Sequence, residues 1–302
     1  MASDIVTRAD SLEAAERPDR PHYATGVLLD AEDFLDEQTY HRGRLARSLA
    51  YLHGSGTVCG LAVSPPQAVG SDFELSVAPG LALDRFGRLI EVPRPWCIRI
   101  NRWYAALADA ANAVGRAELR NALRGDRVIV DVFVEFELCD RGKTPSFAEG
   151  AIDATDATAP HRVRDGFRFL LAPRDIDPDD RRTLPGARFP AFSAGATPEQ
   201  RVTELKQHIL AGWNGTLARP GERARPRPGE PQLAWAREQP LTLSPAAVFL
   251  ARLRIPAAAG ADDAAPTPDF AAMNDTDVDN LSRAFVFPSD ALARALGLVP
   301  EV

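Results

Sequence analysis

Long hydrophobic segments are absent from this 302-residue sequence. No run approaches the roughly 20 apolar residues of a transmembrane helix, and the first residues lack the apolar core of a signal peptide. Cysteine is also scarce: Cys59, Cys97 and Cys139 each stand in an apolar, strand-like context. This context predicts buried free thiols of a cytosolic protein, with a disulfide as the alternative.

Motifs of catalysis are equally sparse. Gly54-Ser55-Gly56 lacks the following Lys-Ser/Thr of a phosphate-binding loop, and no Gly-x-Ser-x-Gly nucleophile motif occurs. Glu135, Glu137 and Asp140 supply the acid groups that a glycosidase needs. Strand alternation places Glu135 and Glu137 on one face, however, and the sequence shows no opposing acid. We therefore expect a non-enzymatic protein and keep a hydrolase as the weaker alternative.

Two sets of residues have the side chains of a metal site without its spacing. Asp275, Asp277 and Asp279 alternate as in a calcium loop, but Asn280 and Val286 occupy the positions of the required glycine and final acid. A solvated turn is favoured there over an ion site. The second set, His41, His53 and Cys59, fits no compact zinc motif and lacks a fourth ligand. We expect no metal and no cofactor.

Positive charge is too scarce for general nucleic-acid binding. The formal net charge is −7, whereas neutralising phosphates requires clustered Lys and Arg. Charge is also uneven: residues 201–260 carry nine basic and four acidic side chains, and residues 261–302 carry two basic and eight acidic. Complementary patches between neighbouring copies would use this asymmetry, and solvated loops are the alternative.

The organising element of the chain is a predicted amphipathic helix that begins at Ala31. Asp30 and Asp33 form a near capping box, and Gly54 stands where a helix commonly ends. Residues at three- and four-residue steps form one stripe over about six turns, and we expect it to cover a sheet. The stripe consists of Phe34, Gln38, His41, Leu45, Leu49 and Leu52. We expect His53 to bond backbone in the turn that follows.

Short strands follow this helix. Alternating residues predict strands over 57–63 and 73–77, and then a hairpin over 81–92 with its tight turn at Asp84-Arg85-Phe86-Gly87. The economical interpretation is one helix laid over a small antiparallel sheet.

Further elements are predicted along the rest of the chain. An Ala-rich helix is expected over 101–123, strands over 127–138, 166–171 and 247–255, and a helix from Pro198 capped by Thr197. The predicted fold class is α+β, mainly β: a long N-terminal amphipathic helix packed on antiparallel strands, and a β-sandwich-like body with additional helices and long loops.

We divide the chain into four segments. Residues 1–21 are expected to form an extended arm, and residues 22–100 a helix plus an antiparallel β unit. Residues 101–174 should contain a connecting helix and a second β unit. Residues 175–302 should hold Pro/Arg-rich loops, a helix, strands and a C-terminal helix.

The segment from about 22 to 100 also contains a dense set of motifs. They are Gly26-Val27-Leu28-Leu29, Glu32-Asp33-Phe34, Glu37-Gln38-x-Tyr40, Leu52-His53-Gly54-x-Gly56-x-Val58-Cys59-Gly60-Leu61-x-Val63 and Val77-x-Pro79-Gly80-x-Ala82-x-Asp84-x-x-Gly87-Arg88-x-Ile90. Looser echoes follow at Glu135, Arg162-x-Arg164-x-Gly166-Phe167, Leu250-Ala251-Arg252-Leu253 and Arg283-x-Phe285-Val286. This pattern resembles a poorly characterised family associated with phage tails and phage-tail-like contractile injection systems.

The resemblance implies a structural role at or near a baseplate. It implies partners among other tail or baseplate proteins, a homo- or hetero-oligomer, and assembly in the cytoplasm within a particle that can be released. The residues that it marks as structural or interacting are Phe34, Gln38, Tyr40, His53, Gly54, Gly56, Gly60, Pro79, Gly80, Asp84, Gly87, Arg162 and Arg164.

A binding module for glycan or envelope is the main rival interpretation. Trp213 and Trp235 lie near loop-like segments, where aromatic rings can stack on sugars. Arg162 and Arg164 can bind an anion or form ion pairs at a strand edge. The long loop over 215–232, with four prolines and four arginines, is expected to order against a partner.

Overall fold

The structure is a computed structural model that describes residues 7–8, 10–14, 19–145, 158–186, 191–211 and 236–295. The helices are α1 (Ser11–Ala14), α2 (Ala31–His53), α3 (Ile100–Ala108), α4 (Ala113–Asn121), α5 (Pro198–Ala211) and α6 (Ser289–Ala295). The strands are β1 (Thr7–Arg8), β2 (Gly56–Gly60), β3 (Val63–Val69), β4 (Asp72–Val77), β5 (Gly80–Leu83), β6 (Leu89–Val92), β7 (Trp96–Arg99), β8 (Leu123–Arg124), β9 (Arg127–Pro145), β10 (Thr158–Pro173), β11 (Val248–Ala258), β12 (Thr267–Pro268) and β13 (Val278–Asp279).

The strands form one large and two small sheets. In the seven-stranded sheet, β9 pairs with β1, β8, β10 and β11, and β11 also pairs with β12 and β13. Two three-stranded sheets have the orders β2-β5-β6 and β3-β4-β7. Every ladder between these strands is antiparallel. The predicted α+β class with antiparallel sheets is therefore confirmed.

One large apolar cluster joins the three sheets. Val128, Val130, Val132 and Val134 face it from β9, as the sequence alternation predicts. Buried side chains from β4, β6 and β11 complete the cluster, so it draws on residues from distant parts of the chain. On the opposite face of β9, Phe133 packs in a smaller cluster from β10 and β11.

The helices that contribute to the main core are α3 and α4, through Ile100, Tyr104 and Leu119. A single helix was predicted over 101–123, but the chain turns at Asp109 and Asn112, where the Asn112 side chain accepts a hydrogen bond from the Gly115 N–H. This break lets two short helices pack where one straight helix would have continued away from the sheets.

The N-terminal segment is tied to the body where the structure describes it. Thr7 and Arg8 lie opposite Cys139 and Leu138 of β9. In α1, Leu12 is buried. These residues of the predicted extended arm therefore form a strand and a helix, because their hydrogen bonds and apolar side chain find partners in the body.

The cysteine prediction is correct in one respect and wrong in another. All three cysteines are free thiols. Cys59 and Cys97 are exposed and Cys139 is half-buried, because these strand positions point to the outer face of their sheets. An apolar neighbourhood in sequence therefore did not mean a buried side chain.

Candidate functional site

The motif-rich residues meet at a junction between α2 and the turn that joins β5 to β6. The buried Asp84 carboxylate accepts hydrogen bonds from the Phe86 and Arg88 N–H groups, both at 2.9 Å. Gly87 has a φ of +84°, and a Cβ there would lie 1.8 Å from the carbonyl oxygen of Ala46 in α2. The turn therefore contacts the helix backbone directly, and only glycine fits at position 87.

Arg88 extends this junction to the N-terminal segment. Its Nε donates to Asp84 at 2.6 Å, and its Nη1 donates to Asp10 at 3.2 Å and to Glu13 at 2.6 Å. Arg42 of α2 also donates to Asp10, at 3.1 Å. Burial alone would lower the pKa of Arg88, but the facing carboxylates outweigh it and raise that pKa. The charged network fastens α1 and α2 to the turn.

The other motif glycines mark places where backbones touch. The Gly54 N–H donates to Ala50 and closes α2, and a Cβ at Gly56 would lie 2.4 Å from the Ala284 oxygen. A Cβ at Gly60 would lie 2.0 Å from the Pro79 oxygen, and one at Gly80 would lie 2.3 Å from the Cys59 oxygen. These residues, with Pro79, have a structural role at a crossing of strands.

The apolar stripe of α2 does not cover a sheet, so this part of the prediction is wrong. Thr39, Ala46 and Ala50 are the buried residues of the helix, and all three are small. The predicted stripe lies on roughly the opposite face. Its members Phe34, Gln38, His41, Leu45 and Leu52 are exposed, and Leu49 is half-buried. Small residues face inward because the Gly87 turn approaches the helix backbone too closely for large side chains.

The remaining predicted residues of α2 lie at its surface. Tyr40 is half-buried, and its ring centroid is 5.4 Å from the guanidinium carbon of Arg44. The side chain of His53 is exposed at the last residue of the helix. Within the described residues His53 forms no hydrogen bond with the turn, contrary to expectation, because Gly54 satisfies the helix end through its own backbone.

Arg162 and Arg164 are exposed on β10, which among the described strands pairs only with β9. Arg162 lies opposite Arg141, a residue of like charge, and Arg164 lies opposite Cys139. Neither arginine forms an ion pair within the described residues, so the expected edge ion pairs are not found there. Arg164 instead lines a groove together with Trp96.

No protein-family model matches the chain, and no curated protein matches it in sequence. In the part of the chain that the structure describes, none of the helices combines the length and the hydrophobicity needed to span a lipid bilayer.

The aspartates compared with a calcium loop are held by the protein itself. Asp277 is buried, accepts a hydrogen bond from the Asn274 N–H at 3.1 Å and lies 3.5 Å from Arg127. Asp279 accepts from the Leu281 and Ser282 N–H groups, both at 3.0 Å. Of the three aspartates, only Asp275 is exposed, as expected for a solvated turn. Among the described residues, no three His, Cys, Asp or Glu side chains group so that they could hold a metal ion.

One of the three candidate glycosidase acids makes a structural contact. Glu135 accepts a hydrogen bond from Arg168 at 2.9 Å, across the β9–β10 ladder. Glu137 and Asp140 are half-buried further along β9. Trp213, Trp235 and the loop over 215–232 lie outside the described residues, so their predicted role stays a prediction.

Sequence reasoning missed a set of buried arginines. Arg252 of β11 donates to Asp131 of β9 at 2.8 and 3.1 Å, and Arg174 lies 3.5 Å from the same carboxylate. Arg283 donates to the Leu61 oxygen at 2.8 Å. The signal for the first pair is visible in the sequence, since Asp131 and Arg252 each interrupt an apolar strand.

Proposed function

We propose that the protein is a non-enzymatic structural component that assembles with a second copy of itself through the outer stripe of α2, within a phage-tail-like contractile particle. The observation that carries the proposal is the orientation of α2. Leu45 is 62% exposed and Leu52 is 73% exposed, although the helix is fastened to the body by its small residues. A contiguous apolar surface of this kind is typical of a protein interface.

The apolar surface continues beyond the helix. Val27, Leu28 and Leu29 directly precede the capping residue Asp30, and Leu28 is 95% exposed. Phe34 follows in the first turn and is 50% exposed. The chain therefore presents large apolar side chains along the outer side of α2 and at its entrance.

Charge along α2 favours a two-fold pairing of antiparallel helices. The N-terminal half carries Glu32, Asp33, Asp36 and Glu37, and the C-terminal half carries Arg44 and Arg47 besides Arg42, which donates to Asp10. A second copy turned by a two-fold axis brings the acidic half of one helix against the basic half of the other. The same operation brings Phe34 towards Leu52 of the partner helix, so the patch complements itself.

The rest of the fold suits a rigid building block. The Asp84 turn, the Arg88 network and the glycine contacts fix α2 against the sheets through short polar contacts and backbone packing. A helix held in this way presents its outer stripe in one defined orientation, which lowers the entropic cost of association. Asp84, Gly87 and Arg88, which belong to the motifs that resemble the phage-tail family, are residues of this junction.

The mass of the purified protein in solution tests the self-association. We expect wild type to form a dimer or larger oligomer by light scattering or sedimentation, and Leu45→Glu or Leu52→Glu to be monomeric with an unchanged circular dichroism spectrum. Leu281→Glu is the matched control, because Leu281 is 84% exposed elsewhere on the surface. Monomeric wild type, or Glu variants that still associate, would contradict this proposal.

The particle assignment needs its own test. Negative-stain microscopy of native complexes, with the protein tagged, should show it attached to tail-like particles, and purification should recover tube and sheath proteins. Genes for tail tube, sheath and spike proteins beside its own gene would support the particle assignment. Repeated purification without any tail protein would refute the particle assignment while leaving self-association open.

A further inference from the structure

A second surface feature lies away from α2, where β6, β7 and β10 meet. There a groove of about 540 Å³ opens between the small sheets and the large one. All three strands are edge strands of their sheets. The volume falls within the range of small-ligand sites, roughly 300–1,000 Å³.

Aromatic and aliphatic side chains supply the apolar part of this groove. Trp96 is 50% exposed, and its ring centroid lies 5.3 Å from that of Phe167, with the planes 80° apart. Phe167 packs in turn against Phe169 and the main core. Trp96 is therefore a large ring fixed from one side by the core and open to solvent.

Charged side chains of both signs supply the polar part. Glu91, Arg94, Arg164 and Asp165 line the groove and are exposed. Within the described residues, none of these four side chains forms a hydrogen bond or an ion pair. Nearby arginines behave differently, since Arg99 and Arg102 pair with Asp72. Among the described residues, the groove thus offers two cations and two anions without an intramolecular partner beside an exposed indole.

We propose that this groove binds a neutral oligosaccharide. Sugar rings present polarised C–H groups on one face, which pack against the electron-rich face of an indole. Their hydroxyls both donate and accept, so they can donate to Glu91 and Asp165 and accept from Arg94 and Arg164. The two positive and two negative side chains balance, and a charged ligand would meet like charges from one pair. This site is separate from the α2 stripe, so binding and assembly can fail independently.

The experiment starts with the full-length protein on a glycan array and continues with calorimetric titration of maltohexaose, cellohexaose and chitohexaose. We expect at least one neutral oligosaccharide to bind. Trp96→Ala should weaken binding at least about tenfold, and Trp96→Phe should retain most of it because the ring remains. Glu91→Gln and Arg94→Ala should each weaken it about three- to tenfold through lost hydrogen bonds.

Val69→Ala is the matched control, because Val69 is exposed on β3 of the same small sheet as Trp96. It should leave the affinity unchanged. If Trp96→Ala fails to fold, the affinities of the Glu91→Gln and Arg94→Ala variants, both at exposed positions, test whether the groove is the binding site. The proposal is overturned if no neutral oligosaccharide binds, if only acidic glycans or peptides bind, or if Trp213→Ala or Trp235→Ala abolishes binding that the groove variants retain.

Discussion

The guanidinium of Arg252 donates two hydrogen bonds to the carboxylate of Asp131, at 2.8 and 3.1 Å, and both side chains are almost completely buried. The two residues lie directly opposite each other on β11 and β9. Arg252 also donates to Thr183 Oγ1 at 3.1 Å, so the pair fastens a connecting loop to the central ladder.

Removing one member of this pair should be costly. Asp131→Ala leaves a buried guanidinium without its anion, and we expect the free energy of unfolding to fall by about 3–5 kcal/mol in urea titrations. Arg168→Met is the control, because the Arg168–Glu135 pair on the same sheet has an exposed guanidinium and should be worth about 1 kcal/mol or less. An equal fall in the free energy of unfolding in the two variants would show that the buried pair stabilises the protein no more than the surface pair does.

The close contact between the Asp84 turn and α2 predicts that alanine substitution destabilises the protein far more at Gly87 than at Gly26. Gly87→Ala should destabilise the protein by several times as much as Gly26→Ala, for which only the left-handed backbone cost of about 1–2 kcal/mol is expected. The φ angles are similar, +84° and +91°, but nothing lies within 4 Å of a Cβ at Gly26. Thermal unfolding of both variants measures the difference, and similar losses would contradict the close contact with Ala46.

A change of side-chain size should lower the free energy of unfolding on the inner face of α2 and leave it nearly unchanged on the outer face. Ala46→Leu forces a large group against the Asp84 turn and should cost about 1–3 kcal/mol of unfolding free energy. Leu45→Ala removes exposed surface and should change monomer stability by no more than about 0.5 kcal/mol. Measurements at a protein concentration below the association range keep dimer effects out. The reverse order would mean that the stripe faces inward.

Loss of the Asp10 carboxylate should release the N-terminal segment. Asp10→Ala removes the contacts to Arg88 and Arg42, while Arg88 keeps Asp84 and Glu13. We therefore expect a moderate loss of about 1–3 kcal/mol and faster tryptic cleavage after Arg8, which precedes Ala9 in the same segment. Asp19→Ala, at an exposed position, is the control. Cleavage at the wild-type rate would show that the segment does not depend on this anion.

Asp72 provides a pH-dependent readout at the start of β4. Hydrogen bonds from Arg102 and Asn101 hold its pKa below the ordinary value of 3.8. A lowered acid pKa means that the stabilising contribution is complete above about pH 4 and is lost as the pH falls through the folded-state value. NMR titration of the carboxyl carbon should show the low pKa, and Arg102→Ala should raise it. An unchanged pKa in that variant would reject the assigned cause.

Local patterns predicted the elements whose signals are complete within a short stretch. The capping box at Asp30 is present, and so is the one at Thr197, whose N–H donates to Gln200 at 2.8 Å. The alternation in β9 also assigned its core face correctly. In each case a few neighbouring residues determine the local geometry.

Features that depend on distant partners were not predictable. The stripe of α2 has helical periodicity, but periodicity shows only which residues share a face, and the partner decides which face is buried. Asp131 was visible in its strand, yet Arg252 stands 121 positions away in the chain. The Trp96 groove likewise combines residues from three strands whose approach requires the folded core.

Because α2 is attached through small residues, its inner face is constrained by packing against the body and its outer face is not. Substitutions at Thr39, Ala46 or Ala50 disturb the fold, whereas those at Phe34, Leu45 and Leu52 change the exposed face, which under the proposed function is the face that binds a second copy. If the proposed function holds, related chains would diverge in their choice of neighbour by changing the outer residues, while the inner ones keep the scaffold intact.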